Sequence, residues 1–141
     1  MPRVVLLACA QSSSIDRFTN RLSIFNLVEQ INLVAGRTSI RIPELEIITV
    51  LDRLEGESST DSFVQRISWL SPDGRSIIQQ ELDPFRMERR RHRHIFRAEG
   101  LLLDGFGLHT IQVWIRPESG VYPADPDEQY TVMVGPDTEI E

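Results

Sequence analysis

A run of arginine and histidine side chains between residues 86 and 97 is the part of this chain whose residue types could do the most chemistry. Six arginines and two histidines lie there against a single acid, Glu88. The arginines are Arg86, Arg89, Arg90, Arg91, Arg93 and Arg97. Arginine contacts phosphate and carboxylate groups well, so this run could bind an anionic partner, although protection of a strand edge or pairing with the chain's own acids is the favoured interpretation.

The arginine run has three interpretations. On an edge strand, its charges would stop the strand from pairing with another sheet. It could also pair with the acids that follow Pro117, in the same chain or in a neighbouring copy. Finally, it could bind another molecule, and the flanking Phe85 and Phe96 invite a comparison with proteins that stack nucleic-acid bases. The run is one strand long, on an acidic protein without a recognisable nucleic-acid motif, so a protein partner or self-association is favoured over nucleic acid.

A second set of residues has the types that bind metals: His92, His94, Glu99 and His109. Residues i and i+2 of a strand share a face, so His92 and His94 could point at one ion. Three imidazoles with a carboxylate suit zinc or iron, and the spacing up to Glu99 resembles the first cupin motif. The glycine expected before His92 is absent, and the surrounding arginines oppose a cation. We therefore predict no metal and no cofactor, and keep a metal-dependent cupin-like enzyme using these four residues as the alternative.

Other catalytic patterns are absent from the sequence. It contains no Gly-x-Ser-x-Gly turn, no Walker loop and no dinucleotide-binding fingerprint. The single cysteine, Cys9, lies in an apolar strand that disfavours its thiolate. The sequence therefore does not predict an enzyme.

The clearest structural signal is a β-hairpin. Two strand-like segments, Phe63–Leu70 and Ser76–Leu82, are joined by a turn with the sequence Pro-Asp-Gly. Pro72 presets φ for the turn, and Gly74 tolerates the positive φ that such turns require.

Further short strands are predicted along the rest of the chain. They lie at Val4–Ala10, Arg21–Asn26, Leu45–Leu51, Arg89–Ala98, Leu108–Ile115 and Tyr130–Val134. Residues 11–20 are predicted to form a polar loop, and residues 27–34 fit either a strand or a short helix, of which we favour the strand. This spacing predicts an all-β domain over residues 1–135, a single immunoglobulin-like sandwich of about seven or eight antiparallel strands. An acidic tail is expected over residues 136–141.

Charge is unevenly distributed along the chain, whose formal net charge is −6 over 141 residues. Seven acids and no arginine follow Pro117, whereas residues 1–116 hold the other 14 acids and all 15 arginines. Net charge alone therefore neither favours nor excludes an anionic partner.

Targeting signals are weak. Only five apolar residues separate Arg3 from Cys9, whereas a signal-peptide core needs about 7–15. No segment approaches the ~18 apolar residues of a membrane helix. The sequence therefore predicts a cytoplasmic protein without membrane contact, and its one cysteine excludes an internal disulfide.

Three motifs carry a resemblance to a known family. The first is Asp16-x-x-Thr19-x-x-Leu22-Ser23-Ile24-Phe25-Asn26, the second Pro72-Asp73-Gly74, and the third Gly107-Leu108-His109-x-Ile111-x-Val113. In order and spacing the chain resembles a bacterial family of uncharacterised small β-sandwich proteins, from about Val4 to Val134. The resemblance implies a sandwich fold, and it brings no activity and no catalytic residues. We therefore expect a non-enzymatic binding or assembly module that acts through protein–protein contact.

Overall fold

Two β-sheets pack face to face in this protein. The computed structural model describes residues 1–136, and every regular element among them is a strand. The ten strands are β1 (Arg3–Ile15), β2 (Leu22–Leu27), β3 (Gln30–Leu33), β4 (Ser39–Asp52), β5 (Ser62–Leu70), β6 (Ser76–Glu81), β7 (Phe85–Arg86), β8 (Arg91–Asp104), β9 (Gly107–Pro117) and β10 (Glu128–Pro136). The first sheet has the order β2-β1-β4-β8, and the second has the order β3-β10-β9-β5-β6, with β7 also beside β5. The predicted all-β class is confirmed.

The core lies between the two sheets. The first sheet contributes Cys9 and Ile47 to one apolar cluster, and the second contributes Ile67, Trp69 and Ile111, all fully buried. Strands β5 and β9 supply alternate residues to this cluster, as period-two patterning requires. A core shared between two sheets is the arrangement of a sandwich.

The predicted hairpin is confirmed. Strands β5 and β6 pair antiparallel, and Gly74 between them has a φ of 88°. The amide of Gly74 donates to the carbonyl of Ser71 at 2.9 Å, which closes the turn. The chain then leaves the ladder before Pro84, which cannot donate a backbone hydrogen bond.

Strand β4 is central, as expected for a segment with apolar residues on both faces. It lies between β1 and β8, and residues 45–52 are all buried. Ile47 belongs to the cluster between the sheets, whereas its neighbour Ile48 points to the outer face of the first sheet and is nevertheless fully buried. Something on that outer face must therefore cover Ile48.

The predicted polar loop over residues 11–20 is wrong in its first half. Strand β1 continues to Ile15 and pairs with β2, for example Ser12 with Phe25. The polar side chains of this segment are typical of loops, but they also suit a hairpin that is exposed to solvent on one side. Only residues 16–20 form a turn, in which Asn20 has a φ of 58°.

Residues 30–33 form a strand, which confirms the strand interpretation over the helix. Strand β3 pairs with β10 in parallel, with Ile31 opposite Val134. The expectation of seven or eight antiparallel strands is therefore wrong on two counts, since the described residues hold ten strands and one parallel pair. A parallel pairing between segments about 100 residues apart leaves no local sequence signal.

The predicted C-terminal tail begins at Pro136, which is the last residue of β10, and its remaining residues 137–141 lie outside the described part of the chain. Within residues 1–136, no helix has the length and apolar character needed to cross a membrane.

Candidate functional site

The arginine run is divided between the two sheets. Arg86 lies on β7, which pairs with β5 in the second sheet, whereas β8 begins at Arg91 in the first sheet. Arg89 and Arg90 lie in the connection between them. Strand β8 is an edge strand, and its odd-numbered residues from Arg91 to Arg97 point to the outer face of the first sheet, opposite to Phe96, which packs on the core.

A buried carboxylate on β4 holds the start of β8. Asp52 is only 3% exposed, and its Oδ1 accepts hydrogen bonds from Nε of Arg91 at 3.1 Å and Nε of Arg90 at 3.2 Å. Arg3 of β1 lies 3.9 Å from the same carboxylate. Burial alone would raise the pKa of Asp52, but the hydrogen bonds and charges of Arg90 and Arg91 outweigh it and lower that pKa. The pairing of β4 with β8 places these groups side by side.

Arg97 meets two further acids of β4. Its Nη2 lies 3.1 Å from Oε2 of the buried Glu46, and its Nε lies 3.4 Å from Oε1 of Glu44. The hydrogen bond to Glu46, and then the charges of both acids, raise the pKa of Arg97. The acids that neutralise the arginine run therefore come from β4. Within the described residues, the acids that follow Pro117 form no ion pair with it, so the predicted intramolecular pairing with that region is not found there.

The β1–β2 hairpin lies across the outer face of the first sheet. Arg93 on β8 donates from Nη2 to the backbone oxygen of Asn20 at 2.7 Å, and from Nη1 to its Oδ1 at 3.4 Å. Ser13 on β1 donates to Oε1 of Glu46 at 2.5 Å. This position of the hairpin explains why Ala10 and Ile48, which point away from the core between the sheets, are fully buried.

The hairpin turn adds its own side chains to this surface. Because Arg93 holds Asn20, the exposed Arg17 and Arg21 of the same turn join the arginines at the start of β8. We define the arginine face as Arg3, Arg17, Arg21, Arg90, Arg91 and Arg93. Phe18 projects from the same turn with 93% of its surface exposed. Arg17, Phe18 and Arg21 were not predicted as site residues from the sequence. The available signal was the Asp16-x-x-Thr19 pattern of a hydrogen-bonded turn.

The two strand histidines come together, but around a phenylalanine. His92 stacks on Phe85 and His94 meets the same ring edge-on, and all three ring centroids are 4.6 Å from one another. Within residues 1–136, Nε2 of His94 is buried without a hydrogen-bond partner. Burial, and then the neighbouring charge of His92, lower the pKa of His94 to about 4. Burial also lowers the pKa of His92, although the charge of Glu88 opposes that shift.

The other two candidate metal ligands lie elsewhere. His109 is fully buried in the second sheet, where its Nδ1 accepts from Nε1 of Trp69 at 3.0 Å and its Nε2 lies 3.2 Å from the oxygen of Gly105. Both nitrogens are therefore used, with the proton on Nε2. Glu99 is exposed and lies an odd number of residues from His94 on β8, so the two side chains point to opposite faces of the sheet. Among the described residues, no group of three or more histidine, cysteine or acidic side chains could hold a metal ion.

A second cluster on the outer face of the second sheet was also missed. The guanidinium of Arg66 lies between Trp114 and Tyr122, 4.3 Å and 4.4 Å from the two ring centroids. The Tyr122 hydroxyl donates to Glu81 at 2.7 Å. Burial, and then this contact with Glu81, raise the pKa of Tyr122 to about 12. The cluster fixes the loop after β9 against the sheet, which is a structural role.

No family model matches this chain, and no curated protein matches it. The resemblance to an uncharacterised bacterial family therefore stays a prediction.

Proposed function

We propose that this chain is a non-enzymatic interaction module that binds an acidic protein surface through its arginine face. The observation that carries the proposal is the contact between Arg93 and Asn20, which joins the hairpin turn to β8. Through it, arginines of the hairpin turn and of the start of β8 share one surface, which Arg3 of β1 joins beside Asp52. An immunoglobulin-like arrangement of the two sheets, and a location in the cytoplasm, are part of the same proposal.

The balance of charge on the face favours an anionic partner. Of the carboxylates near its six arginines, Asp52 is already shared by Arg90 and Arg91, and Asp16 accepts hydrogen bonds within the turn. Glu55 and Glu57 line a cavity together with Arg90. Each exposed ion pair contributes only about 0–1 kcal/mol, so several pairs must act together. Such a surface steers and orients a partner, and its attraction fades beyond about 8 Å at physiological salt.

The aromatic residues that flank the arginine run are not available to stack on bases, although Phe18 of the hairpin turn is exposed beside Arg17. Binding of single strands depends on aromatic faces that bases can stack on. Phe85 is 8% exposed, and its ring packs against His92 and His94. Phe96 packs on the core. The aromatic side chains that flank the arginine run are thus engaged inside the protein.

Two defined polyanions test the proposal. Polyglutamate and a single-stranded DNA of equal charge are titrated into the protein at low and moderate salt. The test variant changes Arg17, Arg21 and Arg90 to Ser and leaves Arg91 to pair with Asp52. Loss of three exposed pairs should weaken polyglutamate binding by about tenfold.

A charge-matched control changes Arg37, Arg41 and Arg75 to Ser, all of which lie away from the arginine face. The control should bind polyglutamate like the parent. Equal losses in both variants would show that binding follows net charge and not this face. Tighter binding of DNA than of polyglutamate by the parent would favour a nucleic-acid partner.

A further inference from the structure

The hairpin turn presents Phe18 as a rigid apolar projection. Oδ1 of Asp16 accepts hydrogen bonds from the amides of Phe18 and Thr19, both at 2.8 Å, and Asn20 donates to the backbone oxygen of Asp16 at 2.8 Å. Arg93 holds the other side of the turn. A large aromatic side chain on a fixed turn loses little conformational entropy when it binds, and burying it is favourable.

An apolar groove lies at the opposite end of the same hairpin. It encloses about 550 Å³ between β2, β3 and β4, which is large enough for an aromatic side chain. Its apolar lining residues are Leu27, Val28, Ile31, Ile42, Pro43 and Leu45. Leu27 is 54% exposed, so the groove is accessible from solvent.

The charges around the projection and the groove are complementary. Phe18 lies between Arg17 and Arg21 in the sequence of the turn. Glu44, which also pairs with Arg97 of the same chain, lines the groove, and Glu29 lies between two of its lining residues. A Phe18 side chain in the groove would therefore bring arginines towards carboxylates, which favours one orientation of docking.

We propose that a second copy of this chain docks here, with Phe18 of one copy inserted into the groove of the next. The inference deepens the proposed function and rests on it, since the arginines that flank Phe18 belong to the arginine face. Phe18 and Leu27 are at opposite ends of the hairpin, which is five residue pairs long or about 17 Å, so a copy does not fill its own groove. The contact is heterologous and head-to-tail, so successive copies form a ring if the rotation between them closes and an open chain if it does not.

Sedimentation of two complementary variants tests this assembly. Phe18→Ser removes the projecting aromatic side chain. Leu27→Arg places a positive charge at an exposed position in the groove, where it repels Arg17 and Arg21 of the incoming copy. The parent should self-associate as its concentration rises. Each variant alone should self-associate with an affinity that is lower by about tenfold or more. An equimolar mixture of the two variants should form a dimer that grows no further, because it retains one intact projection and one intact groove. Val121→Ser, which changes another exposed apolar residue, should sediment like the parent.

A parent that stays monomeric at every concentration and at low salt would overturn the proposal, and so would a mixture that remains monomeric. The polyglutamate titration separates this failure from failure of the proposed function. If Leu27→Arg and the parent bind polyglutamate equally, through the arginine face, while no assembly forms, only the head-to-tail contact is wrong.

Discussion

The pH dependence of folding gives a quantitative test of the cluster formed by Phe85, His92 and His94. His94 is held on the inner side of β8 against the Phe85 ring, with its Nε2 buried and without a partner among the described residues. A proton on this imidazole would place a charge in an apolar site, next to His92. Lowering the pH from 7.5 to 5 is the perturbation, and the free energy of unfolding is the quantity measured.

Because the pKa of His94 is lowered in the folded protein, the free energy of unfolding should fall as the pH falls. Burial lowers the pKa of His94 from 6.5 to about 4 in the folded protein. The unfolded chain therefore takes up its proton first, so this contribution to stability is complete above about pH 6.5 and is lost as the pH falls towards 4. At pH 5, protonation of His94 raises the ratio of unfolded to folded protein by about thirtyfold. This lowers the free energy of unfolding by about 2 kcal/mol. His92 changes in the same direction.

Denaturant unfolding at the two pH values, on the parent and on His94→Leu, isolates this effect. Leucine is of similar size and leaves no polar atom unpaired at that position. The parent should lose about 2 kcal/mol more than the variant between pH 7.5 and pH 5. Equal losses in the two proteins would contradict the low pKa of His94, because they would show that this side chain is protonated as easily in the folded as in the unfolded state.

Three further substitutions, one of them with a matched control, test other parts of the structure. Gly74→Val should destabilise the protein by about 1 kcal/mol or more, since φ is 88° there, whereas Gly135→Ala, where φ is not positive, should leave the melting temperature nearly unchanged. His109→Leu should cost about 1–3 kcal/mol in denaturant unfolding, because it leaves the buried Trp69 N–H without an acceptor, and an unchanged midpoint would contradict that contact. Asp52→Asn should lower the melting temperature at pH 7 and reduce its fall on acidification, since the pKa of this carboxyl is lowered in the folded state; identical acid profiles for variant and parent would count against the ion pairs.

Local signals predicted the parts of the fold that local chemistry determines. The turn at Pro72 and Gly74 fixes its hairpin through backbone preferences, and the apolar run of β4 predicts a central strand. The extension of β1 through Ser12, Ser13 and Ser14 was missed, because serine is typical of loops and the pairing partner lies in β2. The parallel pairing of β3 with β10 depends on contacts between distant segments, which periodicity does not report.

The candidate site shows the same division. The arginine run was identified from residue type, but its carboxylate partners depend on the register of β4 against β8, which places Asp52 opposite Arg91. In the sequence alone, Glu46 and Asp52 are single acidic residues in a mainly apolar segment, and nothing near them indicates a partner. The contribution of Phe18 depends on where Arg93 holds the hairpin turn, and no spacing in the sequence relates residues 20 and 93.

Binding to the arginine face is tested most directly by mapping polyglutamate contacts on the protein by NMR. In a titration at low salt, the largest shifts should occur in the amides and arginine side chains of residues 16–21 and 90–93. Amides on the outer face of β9 and β10 should remain unchanged, and added salt should reverse the shifts. Shifts concentrated on β9 and β10, or the same map from the Arg17, Arg21 and Arg90 variant, would contradict the proposed binding surface.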